Sequence, residues 1–232
     1  PLRRQRQMCI RDRIYGLTKG QYSPTSEAGS VTKSSPMGSV DYPFNPLSVA
    51  LGAGCSFVAR ALDSDRKGLD ETLTTAAHHR GTSFVEIYQN CPIFNDGAFD
   101  DYKGPEAAER IVRLVDGEPI LLGADRSKGV VRDPVNGSLT VTEVAQVGMD
   151  HVVVHDATRP DPSLAFELAH LHDSGQISQI PLGILRSVSL PTYDDMVRDQ
   201  LRLAGGSADD KPARDAALQQ LLRGNDTWQV HN

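Results

Sequence analysis

SFVARALDSDRKGLDETLTTAAHHRGTSFVEIY, residues 56–88, decides the fold. It opens on the apolar run SFVARAL (56–62) and closes on SFVEIY (83–88). Both are short, rich in β-branched and aromatic residues and bounded by turn residues, so both read as buried strands. Between them, over 64–80, Leu69, Leu73, Ala76 and Ala77 recur at helical spacing, with Gly81 just past the end in the place of a C-cap. Strand, helix and strand in this order make a parallel βαβ unit, because the helix carries the chain back to the edge from which it started. The expected class is α/β, a doubly wound sheet whose ligands sit beyond the carboxyl ends of its strands. Within the unit, DSDRKGLDE (63–71) has the glycine of a calcium loop, but Lys67 fills a ligand position and Thr74 stands where the bidentate Glu belongs. It reads as a helix start.

Upstream, NPLSVALGAG reads as a short helix over 46–53, started by Asn45 and Pro46 and ended by glycine. Before it, residues 16–46 form an irregular stretch punctuated by Gly16, Gly20, Pro24, Gly29, Pro36, Gly38, Pro43 and Pro46. A structureless stretch of that length in a compact domain is either functional or disordered, and its hydroxyl content and central Lys19 favour function. Its first part, IYGLTKGQYSPTS (14–26), can turn backbone N–H groups and hydroxyls toward a phosphate, which suggests an anionic cofactor. Gly16 permits close backbone approach and Thr18 offers a donor. By spacing alone these residues also fit an ordinary Gly-rich turn, and Lys19 a solvated lysine.

Downstream, EPILLGA, GVVRD, SLTVTEV and HVVVHD are short alternating runs between turn residues and read as antiparallel strands. A helix over 162–174, a strand PLGILRSVS (181–189) and two helical segments split at Gly205 and Gly206 complete the chain. The expected organisation is a foreign or disordered leader at 1–13, the C-terminal part of the cofactor-binding domain at 14–104 and a smaller α+β subdomain at 105–232.

Composition narrows the function. With 232 residues, 39% hydrophobic, the chain can bury a real core. A net charge of −6, with basic residues concentrated only in the leader PLRRQRQMCIRDR, argues against nucleic-acid partners. No apolar stretch approaches the roughly 20 residues of a membrane span, and no secretory segment is evident. The three cysteines, Cys9, Cys55 and Cys91, are too few and too scattered for a disulfide framework and fit a reducing compartment, so the expected location is the cytoplasm. Cys55 reads as a packed core thiol. Cys91 follows the second strand in QNCPIFN, where a structural thiol is the plain reading. His170 and His172 flank Leu171 on a helix and project from different faces, so they suit surface or capping roles better than a metal. His78 and His79 lie near a helix C-terminus, where positive charge is favoured. No Ser/His/Asp arrangement is evident, and no side chain is assigned a catalytic role.

Taken as a whole, the run 14–26 resembles the thiamine-diphosphate loop in the beta subunit of the 2-oxoacid:ferredoxin oxidoreductases, above all those of the 2-oxoglutarate type. The resemblance continues through SSPMGS (34–39), FNPLSVALGAG (44–54), FVARALDSDRK (57–67), HRGTSFVEIYQNCPIFNDGAFD (79–100), DPSLAFEL (161–168) and GNDTW (224–228). It implies that the Asp12 side chain and the Ile14 carbonyl face a Mg2+ ion, where hard oxygen ligands suit the metal. The family usually has Asn or Thr where Asp12 stands. It implies further that Gly16, Leu17, Thr18 and Gly20 contact thiamine diphosphate, that Lys19 and Leu17 recognise the distal carboxylate of the substrate, and that Cys91 is one ligand of a 4Fe–4S cluster. Gln21 can add a polar contact.

Family beta subunits carry N-terminal cysteines for the cluster and a Gly-Asp-Gly segment for the magnesium, and neither stands in this sequence. MCIRDR looks like translated adapter sequence, so the expectation is a beta-subunit fragment behind a short foreign leader. The implied activity is oxidative decarboxylation of 2-oxoglutarate to succinyl-CoA, with coenzyme A as acyl acceptor and ferredoxin as electron acceptor, in a heterodimer with an alpha subunit. The cofactors carry that chemistry and the protein orients it. Two alternatives stay open: a pyruvate or broad-specificity 2-oxoacid oxidoreductase, against which Lys19 argues, and a catalytically silent piece that binds only a partner subunit.

Overall fold

The computed structural model describes residues 21–90, 96, 97, 99–172, 179–204, 211–225, 228 and 230. The predicted βαβ unit is its organising element. Strand β1 (Phe57–Leu62) and strand β2 (Ser83–Tyr88) are parallel and in register from Phe57 opposite Ser83 to Leu62 opposite Tyr88. Helix α2 (Arg66–His78) joins them. It starts as the sequence predicts, with the Asp65 carboxylate accepting from the Gly68 N–H at 3.2 Å. Its inward residues Leu69, Leu73 and Ala76 pack on Phe57, Ala59, Val85 and Ile87, one face of the sheet.

The end of α2 differs from expectation. The helix is capped by His79 in extended conformation, and Gly81 lies two residues further on with φ +137°. A Cβ there would meet Ser56 Oγ at 2.6 Å and His79 Nε2 at 3.2 Å. Gly81 is required by close approach, not by a helix cap. The Ser56 hydroxyl and His79 Nε2 it makes room for are 2.9 Å apart.

Across the sheet, helix α1 (Pro46–Gly52) sits over the other face, and Asn45 starts it as predicted by accepting from Ser48 N at 3.0 Å. The same side chain donates to the carbonyl of Ala169 at 2.9 Å. Two short segments come next, helix α3 (Ala107–Arg110) and strand β3 (Ile111–Leu114), and the sequence reading anticipated neither. Strands β4 (Leu121–Leu122), β5 (Lys128–Arg132) and β6 (Leu139–Glu143) form the expected antiparallel meander, followed by helix α4 (Val144–Val147). HVVVHD does not make a continuous strand: it contributes isolated bridges from Val152 to Val131 and from Val154 to Pro119.

Helix α5 (Ser163–Ala169) is shorter than the 162–174 predicted. Its terminal carbonyl is taken by Asn45, and His170 turns to bond Ser48 Oγ at 2.7 Å. Strand β7 (Ile180–Ser187) then returns to the main sheet, antiparallel to β1 and parallel to β3, so the strand order is β2-β1-β7-β3 and the sheet is mixed. Both strands follow residue 104, yet they share the sheet of the βαβ unit. Register shifts between Val58 and Ala59, which leaves Leu185 an extra residue packed in the core beside Val58. At Gly183, φ +123°, a Cβ would meet the Leu114 carbonyl at 2.8 Å, so only glycine lets β3 approach.

Compact units divide at Leu190 and Pro191. The second unit holds helices α6 (Tyr193–Leu203) and α7 (Lys211–Arg223), neither with a buried residue.

Candidate functional site

Parallel register brings the carboxyl ends of β1 and β2 to one edge. There Asp63 N–H donates to the Tyr88 carbonyl at 2.9 Å, and Asn90 N–H donates to Asp63 Oδ2 at 3.1 Å. The Asn90 side chain closes a loop: its amide donates to Asp96 Oδ1 at 2.8 Å, and its carbonyl accepts from Gly97 N at 3.0 Å. Behind this edge lies an apolar cluster of Leu62, Tyr88, Phe99, Ile111, Ile180 and Leu182, with the Tyr88 and Phe99 rings stacked at 5.0 Å. Arg60 and Glu86, facing residues of β1 and β2, form a buried ion pair at 2.7 Å, and the guanidinium stands 5.0 Å from the Tyr88 ring centroid. At the rim, Lys103 pairs with Asp100 at 2.9 Å, and that bond raises its pKa.

Residues 21–45 form the loop that leads into α1. Its inner side is a knot of hydroxyls: Ser23 and Thr25 are each 1% exposed and Ser26 4%. Ser23 Oγ and Thr25 Oγ1 are 2.9 Å apart, Thr25 N donates to Ser23 Oγ at 3.1 Å, and Ser23 N donates to Ser26 Oγ at 3.0 Å. The outer side presents apolar groups, Val31, Met37, Val40 and Tyr42, to solvent. The Tyr22 hydroxyl donates to Asp41, which raises the tyrosine pKa.

The residues singled out from sequence as ligands, Asp12, Ile14, Gly16, Leu17, Thr18, Lys19, Gly20 and Cys91, lie outside the described residues. Of their neighbours in sequence, Asn90 is placed at the clasp. Cys55 is a core thiol as expected: its Sγ donates to the carbonyls of Phe57 at 3.1 Å and Thr82 at 3.3 Å, and burial pushes its pKa up. It lies just ahead of β1. His79 corrects expectation, because burial lowers its pKa and it is bonded to Ser56 instead of serving as a charged helix end. His78 does sit at that end, 2.8 Å from the Thr74 carbonyl. Among the described residues no cluster of three His, Cys, Asp or Glu side chains could hold a metal, and no helix is long and apolar enough to cross a membrane.

Sequence reading missed the Arg60–Glu86 pair, the Asn90 clasp and the burial of the hydroxyls. The first two depend on which residues the strand register places side by side, which no local pattern reports.

Over the parallel βαβ unit and the loop before it, the chain is similar to the class of thiamine-diphosphate enzymes. The family model "Thiamine pyrophosphate enzyme, C-terminal TPP binding domain" matches residues 6–87, a span that includes Asp12. Within that class the chain is a relative of the beta subunits of the 2-oxoacid:ferredoxin oxidoreductases, as its motifs imply. It is 53% identical over 223 residues, 96% of its length, to the 2-oxoglutarate oxidoreductase subunit KorB of Mycobacterium tuberculosis, of which it spans 58%. It is 42% identical over 83 residues to the 2-oxoacid:ferredoxin oxidoreductase subunit beta of Saccharolobus solfataricus, covering 36% of this chain and 27% of that one. The solved 2-oxoglutarate:ferredoxin oxidoreductase from Magnetococcus marinus, with 2-oxoglutarate, coenzyme A and succinyl-CoA bound, superposes with a TM-score of 0.61 at 26% identity. That match covers 92% of this chain and 57% of the solved one.

Proposed function

We propose that this chain is the thiamine-diphosphate-binding part of the beta subunit of a cytoplasmic 2-oxoglutarate:ferredoxin oxidoreductase, which converts 2-oxoglutarate and coenzyme A to succinyl-CoA and carbon dioxide while two electrons leave singly for ferredoxin. The observation that carries the reading is 53% identity over 96% of the chain to a 2-oxoglutarate oxidoreductase subunit. When bound, thiamine diphosphate supplies the carbanion chemistry that 2-oxoacid decarboxylation needs.

The chain's own residues then bind and orient. Gly16, Leu17, Thr18 and Gly20 hold the diphosphate, Asp12 and the Ile14 carbonyl supply oxygen to Mg2+, and Lys19 with Leu17 receives the distal end of the substrate. The donor set suits these groups: hydroxyls, backbone and a carboxylate for a diphosphate and a hard cation, and an ammonium for a carboxylate. For a 4Fe–4S cluster the reading draws on Cys91, since Cys55 is committed to backbone carbonyls and Cys9 falls in the leader that does not match the family's motifs. A single thiolate does not hold a cluster. The remaining cluster ligands, and the cofactor contacts this chain lacks, are assigned to the rest of the subunit and to its alpha-subunit partner.

Substrate choice tests the reading. In the complete subunit assembled with its partner, Lys19→Ala should lower kcat/KM for 2-oxoglutarate by roughly 30- to 1,000-fold, the worth of a charge-assisted contact of about 2–4 kcal/mol. Ferredoxin reduction with pyruvate, which has no distal carboxylate, should change little. Equal losses for both substrates would give Lys19 to the cofactor and reopen the pyruvate or broad-specificity alternative.

A further inference from the structure

We infer that helices α6 and α7 form the interface through which this chain pairs with a second copy of itself, α6 of each copy lying against α7 of the other in a two-fold symmetric, four-helix arrangement.

The residue types set up two contrasting faces. In α6, YDDMVRDQLRL, the helical repeat puts Tyr193, Met196, Leu201 and Leu203 on one half and every charged residue on the other. The charged half is closed on itself: Arg198 pairs with Asp194 at 2.9 Å and with Asp195 at 3.1 Å, and Arg202 pairs with Asp199. In α7, KPARDAALQQLLR, Leu218, Leu221 and Leu222 stand at i, i+3 and i+4 and so share a side. Neither helix has a buried residue, and Leu203 and Leu221 are 88% and 81% exposed. Helices of 11 and 13 residues are marginal in water unless an apolar stripe is packed against something. Both stripes therefore call for a partner.

Area and charge point to a second copy as that partner. The exposed parts of those seven side chains amount to on the order of 700 Å2, close to the roughly 800 Å2 that each partner contributes to a stable interface. Within its bounds α6 carries three Asp against two Arg, a net charge of −1, while α7 carries Lys211, Arg214 and Arg223 against Asp215, a net charge of +2. Setting each helix against its own copy would bring like charges together. Setting α6 against α7 of the other copy brings opposite charges together, and the symmetry does so twice. A self-complementary surface of this kind closes at two copies.

The test is sedimentation velocity on the full chain. At about 10 μM the wild-type chain should sediment as a dimer, since an interface of this size reaches a Kd of roughly 1 μM even at its weak end. Leu221→Glu in α7 and Leu203→Glu in α6 should each raise the dimer Kd at least about 30-fold, because each places a charge in the apolar seam at two symmetric positions. Ala216→Glu adds the same charge to α7 two residues before Leu218, away from its stripe, and should leave Kd within about twofold. All three residues are exposed in the single copy, so its folding is not at stake. Amide exchange over 193–223 should slow as the wild-type concentration rises through Kd. A monomeric wild-type chain would overturn the inference and give the stripes to a different subunit. Association that survives both stripe variants would overturn it in favour of another surface, and an equal loss in Ala216→Glu would show that added charge alone, and not the stripe, controls association.

Discussion

Arg60 and Glu86 face each other across β1 and β2, 3% and 1% exposed, in a setting otherwise built of Val, Ala, Leu and Phe. Two charges taken out of water repay their desolvation only as a pair, so the cost of losing one partner exceeds the net worth of having both. Glu86→Ala should therefore lower the unfolding free energy by about 3–5 kcal/mol in urea titration. The double variant Arg60→Met with Glu86→Leu should lose less than half of that, and a loss as large as in the single variant would mean that the ion pair is a net stabiliser. Gly81 teaches a related lesson: its place past a helical stripe suggests a cap, and only the approach of Ser56 and His79 reveals the reason for it.

Among the elements, the βαβ unit was fully legible, because Leu69, Leu73 and Ala76 mark one helix face and two apolar runs flank it. The N-terminal signals of α1 and α2 were legible as well, since capping chemistry is local. β3 was not, because four residues, Ile111–Leu114, carry too little periodicity to separate strand from turn. The antiparallel return of β7 was also hidden, since direction in a sheet is settled by packing. At the site, composition singled out the loop and motif resemblance proposed its ligands, while the Asn90 clasp needed the register of two strands.

Two buried histidines carry a pH dependence, His79 between α2 and β2 and His155 beside β7. Burial holds the His79 and His155 imidazoles below the ordinary value of 6.5, with His155 Nε2 2.7 Å from the Ile184 carbonyl. A histidine that resists protonation in the fold accepts it freely once unfolded. Its contribution to stability is therefore full above pH 6.5 and declines as pH falls below that value. Thermal midpoints should drop between about pH 7.5 and 5.5, and His79→Gln, which keeps a partner for Ser56, should make the drop smaller. A midpoint that is flat across that range in the wild-type chain would contradict the buried, neutral state of both rings.

For the whole molecule, the unit ending at Leu190 contains the sheets and their cores, while α6 and α7 bury no side chain. A chain ending at Leu190 should unfold cooperatively with a midpoint within about 4 °C of the longer one, followed by circular dichroism. A much larger loss would show that the terminal helices support the sheet. The strand order places β2 at one margin of the four-stranded sheet, with no described strand beyond it. SFVEIY is apolar, lacks proline and carries only Glu86 as a charge, which is itself turned inward to Arg60. Such a margin offers an open row of backbone groups to any other chain. Produced on its own, this polypeptide is thus set up for self-association and inclusion-body formation at that strand.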